Sequence, residues 1–385
     1  MRYPLIALAF ILSFASVLVE RGIFFLARDV LAFSDAANLW LALLFGAAYV
    51  AGAMGCQALA RRFGEKTVLM SSLLAYLAVL GLLSYLCTRG TVFGGLILMG
   101  ALGGVKWPII ESYMSAGLTP GAAFRAVGRF NITWGSAVPV AMIAEGWILR
   151  VYPPATFMAA GALCAVVIAI VAAALPARPA HLAADHPERP DAVQLARQGA
   201  LLALARWLML MSYICLLVLV PLAPGIFARL GVETGKAAAL SGIVDWARLA
   251  AFVALYLSAW WYGRLSPLVV SMAAIPAGSL MVLLGTDLST VLCGFAIAGL
   301  GVGMTYFAAL YYAMVVKNAS VEAGGGHEGF IGMGLAIGPL AGLLSETLAR
   351  AVSSKAAGTI LGIGPFILFC MVMGIAGFAK RRPRR

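Results

Sequence analysis

A few ionisable side chains stand inside long apolar runs. Lys106 falls in Gly103-Gly104-Val105-Lys106-Trp107-Pro108, Asp245 and Arg248 are three residues apart in another run, and Glu20 and Arg21 are neighbours in a third. In hydrocarbon such a group costs at least ~2.5 kcal/mol on insertion scales, so each is paired, faces water or serves a function. The chemistry on offer is binding: basic groups that hold an anion, and carboxyls that take up and release a proton.

Lys106 supplies a mobile point charge beside a proline and is the first choice for a substrate-anion contact; the alternative is an ion pair with a carboxylate of another helix. The spacing of Asp245 and Arg248 puts them on one helical face and favours a self-contained pair. Arg248 is also able to clamp a carboxylate or phosphate through two hydrogen bonds, and Asp245 to carry a coupling proton. Glu20 and Arg21 project about 100° apart, so they do not both face one cavity. Glu20 is the candidate proton carrier, with pairing to a neighbouring charge as the alternative. Glu111 lies near the end of its run, and Arg125 and Arg129 follow in the next loop, a pattern that predicts a gate salt bridge. Asn131 and Trp134 offer a hydrogen bond and an aromatic wall, although interface anchoring also explains Trp134. Glu145 and Glu346, near run ends, are expected to reach water and receive no role.

The elements that position these groups must be membrane helices. Of 385 residues 63% are hydrophobic and 11% charged, against about 45–50% and about 25% in soluble domains. The apolar runs are continuous and long enough to span as helices, without the alternation of a barrel. Cutting at charged and Pro/Gly-rich breaks predicts twelve: 4–27, 37–60, 67–87, 91–116, 127–149, 155–175, 201–224, 236–260, 266–285, 289–316, 328–350 and 357–379. The opening run resembles a signal peptide but continues through Phe25, so it is read as a retained first helix. Basic residues collect on one side (Arg2, Arg61, Arg62, Lys66, Arg125, Arg129, Arg178, Arg197 and the tail), which predicts cytoplasmic termini. A bacterial-type inner membrane is the expected location.

The net charge of +12 is dispersed over loops and forms no nucleic-acid surface. No HExxH, GxSxG or phosphate loop is present, so an enzyme is not expected. The six cysteines lie in apolar runs without CxxC spacing, and neither a metal site nor a cofactor is expected. Met209, Met211 and Cys215 are soft enough for copper, but in lipid such residues are usually apolar filler. Pro176–Gly199, rich in proline and charge, reads as a linker. The implied plan is a first six-helix bundle (1–175), a cytoplasmic linker (176–200), a second bundle (201–379) and a basic tail (380–385). The bundles echo each other at an offset of about 200 residues, as in repeat-built transporters: Gly64 with Gly263, Gly100 and Gly104 with Gly299 and Gly303, and Tyr113 with Tyr312.

Between the second and third runs stands Gln57-Ala58-Leu59-Ala60-Arg61-Arg62-Phe63-Gly64-Glu65-Lys66. It resembles the Gly-x-Leu-Ala/Gly-Asp-Arg/Lys-Leu/Phe-Gly-Arg-Lys/Arg signature of the major facilitator superfamily, with Arg61 where the family has its acid. The resemblance spans the whole chain and implies an all-α fold of two pseudo-symmetric six-helix bundles. It also implies a cytoplasmic latch, here of inverted sign, between Arg61 and Glu328 or Glu322; Arg61 as one more positive-inside residue is the alternative. It places helices 1, 4, 7 and 10 around a central cavity, which makes Tyr306 a candidate lining residue beside Tyr213. Gly334 to Gly342, with Pro339, resembles a family antiporter signature but lies in the wrong half, so close packing is its expected role.

The function this implies is alternating-access transport of a small organic solute, favoured as an anion by Arg21, Lys106 and Arg248, and coupled to protons. Efflux of lipophilic drugs in exchange for protons is the alternative, and a nontransporting sensor or assembly factor is another. The expected partners are the solute, protons and membrane lipid, with the chain acting as a monomer.

Overall fold

The computed structural model describes residues 3–115, 117–179, 192–316 and 321–381. They form helices α1 (Tyr3–Glu20), α2 (Gly22–Asp29), α3 (Asp35–Phe63), α4 (Glu65–Tyr85), α5 (Arg89–Ser115), α6 (Pro120–Val151) and α7 (Ala155–Ala174). After the central segment come α8 (Ala192–Arg229), α9 (Thr234–Ser241), α10 (Ile243–Leu257), α11 (Ser266–Leu284), α12 (Leu288–Val316), α13 (Val321–Ala351) and α14 (Lys355–Arg381). No strand occurs among the described residues. Taking α1 with α2 and α9 with α10, they supply twelve helices long and apolar enough to cross a membrane, where only helices or closed barrels satisfy the backbone.

The two breaks within spans have a consequence for the site. α1 gives way to α2 at Arg21, and α9 to α10 at Gly242. Each break lies close to a charged residue of the site, Arg21 at the first and Asp245 just after the second.

Two of the expected internal matches become equivalent contacts. A Cβ on Gly100 or Gly104 of α5 would lie 2.4 or 2.1 Å from the carbonyl oxygens of Phe45 and Tyr49 on α3. In the second half, a Cβ on Gly299 or Gly303 of α12 would lie 2.1 or 2.7 Å from those of Val244 and Arg248 on α10. Each half thus uses two glycines, one turn apart, to bring a pair of helices into backbone contact. The turns that follow α3 and precede α11 also match, with Gly64 at φ 84 and Gly263 at φ 67, a region open to glycine at no steric cost. Gly334 and Gly338 press α13 against Tyr213 and Ile214 of α8, the packing role expected of that motif.

Three boundaries differ from the sequence reading. α6 begins at Pro120, whose fixed φ suits the first helical turn, so Arg125, ahead of the expected span 127–149, stands on the same helix as Arg129. α13 begins at Val321, which puts His327 and Glu328 inside the helix. α8 begins at Ala192, so Ala192–Gly199, expected within the linker, is helical; no proline lies within that stretch to stop it. Residues 180–191 of that linker, with His181 and His186, lie outside the described residues, as do 382–385 of the basic tail.

Candidate functional site

A cavity of about 170 Å³ lies between the halves. Its wall takes residues from both: Ser13, Ser16, Glu20 and Arg21 at α1 and its end, Tyr49 on α3, Trp107 on α5, and Phe130 and Trp134 on α6 from the first; Tyr213 on α8, Arg248 on α10, Tyr306 on α12, and Glu328 on α13 from the second. Leu216, Leu217 and Val220 of α8 and Ile331 and Leu335 of α13 fill much of the remainder.

One end of the wall carries a three-residue ion network. Arg21 donates to Asp245 Oδ2, and Arg248 Nη2 lies 2.7 Å from Oδ1 of the same carboxylate. The three side chains are 14%, 1% and 5% exposed. The pair expected from the spacing of Asp245 and Arg248 is formed but is not self-contained, because the break at Arg21 directs a second guanidinium onto the same acid. The Arg248 guanidinium also lies 4.6 Å from the Trp134 ring centroid, and Trp134 meets Tyr306 edge to face at 4.9 Å. Trp134 is therefore buried wall, not an interface anchor. Asn131 is fully buried and accepts the Trp134 indole N–H at 3.1 Å. It is not among the residues that line the cavity.

Lys106 also departs from its first-choice role. Its ammonium donates to Ser16 at 3.0 Å, lies 3.6 Å from Glu20 Oε1 and sits 3.8 Å from the Tyr76 ring centroid. It is fully buried and absent from the lining. An amine without water is held where acceptors and an aromatic face replace hydration, and here these come from α1 and α4. Glu20, by contrast, does line the cavity and also accepts from the Tyr76 hydroxyl at 3.1 Å.

Near the end of the molecule that carries the termini, Tyr49 donates to Glu328 Oε2, and the Glu111 and Glu328 carboxyls hydrogen-bond each other. His327 Nε2 is 3.9 Å from Glu111 Oε1. Glu111, His327 and Glu328 are almost wholly buried and bring ligand-type atoms within 4.8 Å of one another. Glu111 thus turns inward to α13, whereas Arg125 and Arg129, one turn apart on α6, are exposed, with Arg129 reaching the Tyr256 hydroxyl at 3.4 Å. The expected Glu111–Arg125/Arg129 gate is replaced by an acid cluster that crosses between the halves. The latch from Arg61 to Glu328 is likewise not formed: Arg61 is exposed at the end of α3 while Glu328 is buried against Tyr49. The Glu322 side chain lies outside the described residues. Glu145 does not reach water either; it is fully buried and accepts from Thr156 Oγ1 at 2.9 Å.

On the face opposite the termini, exposed ion pairs also join the halves. Arg229 Nη1 meets Asp35 Oδ2 at 3.1 Å, with Arg28 on the other oxygen at 2.6 Å, and Arg150 Nη2 meets Glu233 Oε2 at 2.5 Å. Glu233 also caps α9 by accepting from the Gly235 and Lys236 N–H groups. The hydrogen bond from Arg150, and then the cap, hold its carboxyl below the usual value of 4.5.

The sequence reading missed Tyr49 and Trp107 as cavity residues and His327 as a buried group. Nothing local marks the first two; the third is masked by the glycines around it, which read as loop.

The family model described as Major Facilitator Superfamily matches residues 6–342. No curated protein sequence matches the chain. Among solved structures, a mutant of the nucleoside transporter NupG aligns with a TM-score of 0.67 at 13% identity, covering 97% of this chain and 99% of that one. The fucose:proton symporter FucP of E. coli aligns at 0.63 and 12%, covering 99% and 98%. The human organic anion transporter MFSD10 aligns at 0.64 and 12%, covering 96% and 97%. At such identities these likenesses bear on the fold alone.

Proposed function

Because the chain belongs to the Major Facilitator Superfamily, we propose that it carries a small organic anion with an apolar body across the membrane by alternating access, coupled to protons. The observation that carries this reading is the sharing of one carboxylate, Asp245, by two cavity-wall guanidiniums, Arg21 and Arg248. Adding the pair Lys106–Glu20 leaves one positive charge in excess at this end. A bound carboxylate or phosphate completes the group, with Arg248 able to offer two parallel N–H donors. Trp134, Tyr306 and the aliphatic wall match an apolar body and argue against a small, fully hydrophilic solute.

Transport follows from the two-fold build. The Arg21–Asp245 pair ties α1 to α10, and a substrate anion that competes for Arg21 or Arg248 loosens that tie. Binding is thereby linked to movement of one half against the other. Glu20 is the proton carrier of this scheme: it faces the cavity, whereas both Asp245 oxygens are taken up by guanidiniums. Release of its proton strengthens its attraction for Lys106, and uptake weakens it.

The relatives support this reading in one limited way: the MFSD10 structure is of an organic anion transporter. The test is ligand-induced thermal stabilisation of the purified protein, comparing pools of aromatic and aliphatic carboxylates and phosphates with pools of lipophilic cations. Stabilisation by an anion pool that is lost in Arg248→Gln is expected. Stabilisation by cations alone would replace the anion reading with drug efflux.

A further inference from the structure

We propose that Glu111, His327 and Glu328 form a binding site for a first-row divalent metal cation, clamped between α5 of the first half and α13 of the second near the face that carries the termini. Two carboxyls and an imidazole have their ligand-type atoms within 4.8 Å of one another. Metal–oxygen and metal–nitrogen bonds of about 2.0–2.2 Å allow two donors on one ion to be at most about 4.4 Å apart, so a small side-chain adjustment suffices.

His327 distinguishes a cation from a simpler occupant. A proton shared by Glu111 and Glu328 accounts for the two acids standing side by side. It does nothing for His327, which is fully buried with neither ring nitrogen in a hydrogen bond. A neutral imidazole carries one donor and one acceptor, and leaving them unmet in a dry interior is costly. A cation meets the acids and the imidazole acceptor together. Tyr306 packs edge-to-face with the His327 ring at 5.0 Å.

Charge and ligand type narrow the cation. Two carboxylates balance a double positive charge, and mixed oxygen and imidazole donors suit Zn²⁺, Mn²⁺ or Fe²⁺ better than the softer Cu⁺. Tyr49, donating to Glu328, is the outer-shell group that orients a ligand carboxylate. Arg206 and Lys106 are the cations whose fields reach the cluster; they limit affinity without filling the site. Tyr213, Tyr306, Glu20 and Cys56 are further titratable groups that the cluster feels. Access runs through the cavity, since Glu328 is part of its wall. The site shares no residue with the Arg21–Asp245–Arg248 group, so it stands or falls independently of the anion reading.

The experiment titrates chelator-stripped, detergent-purified protein with Mn²⁺, whose preference for oxygen and nitrogen leaves the thiols aside, and follows the electron paramagnetic resonance of free and bound ion. One bound Mn²⁺ per chain, displaced by Zn²⁺ and showing imidazole nitrogen coupling, is expected. His327→Gln removes the coupling, while Glu111→Gln and Tyr49→Phe each raise Kd at least about 10-fold. Should His327→Gln fail to fold, the near-isosteric Glu111→Gln still decides between the outcomes through affinity. The proposal is overturned by absence of Mn²⁺ and Zn²⁺ binding or by binding with affinity and coupling unchanged in these variants. It is equally overturned by an infrared carboxylic-acid band, lost in Glu111→Gln, in protein that binds no cation.

Discussion

Arg21, at the end of α1 in the first half, forms an ion pair with Asp245, at the start of α10 in the second, and the contact lies on the wall of the cavity between them. Both residues adjoin a break in their membrane span, at Arg21 and at Gly242. The pair ties the end of α1 in one half to α10 in the other.

That link has a stability signature. Asp245→Asn leaves two nearly buried guanidiniums without their acid and should cost about 3–5 kcal/mol, read as a lowered Tm in detergent. Combining it with Arg21→Gln should cost less than the sum of the single changes, because the sites share one network. Strict additivity would mean that Arg21 and Asp245 do not interact.

For Lys106 the contact with Glu20 predicts a loss of stability in place of a loss of anion affinity. Lys106→Met leaves Glu20 without its buried cation and should destabilise the fold, while the double variant with Glu20→Gln should recover most of the loss. Anion affinity, measured by ligand-induced stabilisation, should be the same in that double variant as in the native chain. A large drop in affinity would return Lys106 to the role of direct anion contact.

The Arg150–Glu233 pair gives a prediction about pH. The folded carboxyl of Glu233 is held below 4.5, so its contribution is present above that ordinary value and lost as pH falls through the lower, folded one. The contact should therefore be constant across neutral pH and weaken only in acid, more easily at high salt because the pair is exposed. Spin labels placed on either side of the contact should keep one distance distribution down to that range. A change near neutral pH would show that another group controls this face.

Backbone contact at glycines can be tested in the same preparation. Gly104→Ala pushes a methyl onto the Tyr49 carbonyl oxygen and should cost about 1–3 kcal/mol. Gly81→Ala, with nothing within 4 Å, should be neutral or stabilise by about 0.4–1 kcal/mol. Equal tolerance at both positions would rule out close approach of α3 and α5.

The extent to which the sequence foretold all this follows from the range of each interaction. The twelve spans and the paired glycines were legible because hydrocarbon imposes long apolar runs and because Gly100 and Gly104 repeat as Gly299 and Gly303. The Asp245–Arg248 contact was legible because three residues along a helix are neighbours. Arg21 on Asp245, Lys106 on Glu20 and Glu111 on Glu328 were not, since each joins different helices and depends on packing that no local pattern records. Glu111 is instructive: the nearest cations in the chain are Arg125 and Arg129, yet α6 carries them on its exposed face. Asn131 was found as a polar residue beside Trp134, and its hydrogen bond to the indole was not foretold.

The central claim, proton-coupled transport of an organic anion, is tested most directly by proton movement in proteoliposomes carrying a pH-sensitive dye. Pooled organic anions and then lipophilic cations are presented to the native chain, to Arg248→Gln and to Glu20→Gln. The account predicts that an anion pool drives proton flux in the native chain, that Arg248→Gln loses the response to anion, and that Glu20→Gln loses the proton movement. Flux driven by lipophilic cations alone, or anion-driven flux undiminished in both variants, would contradict it.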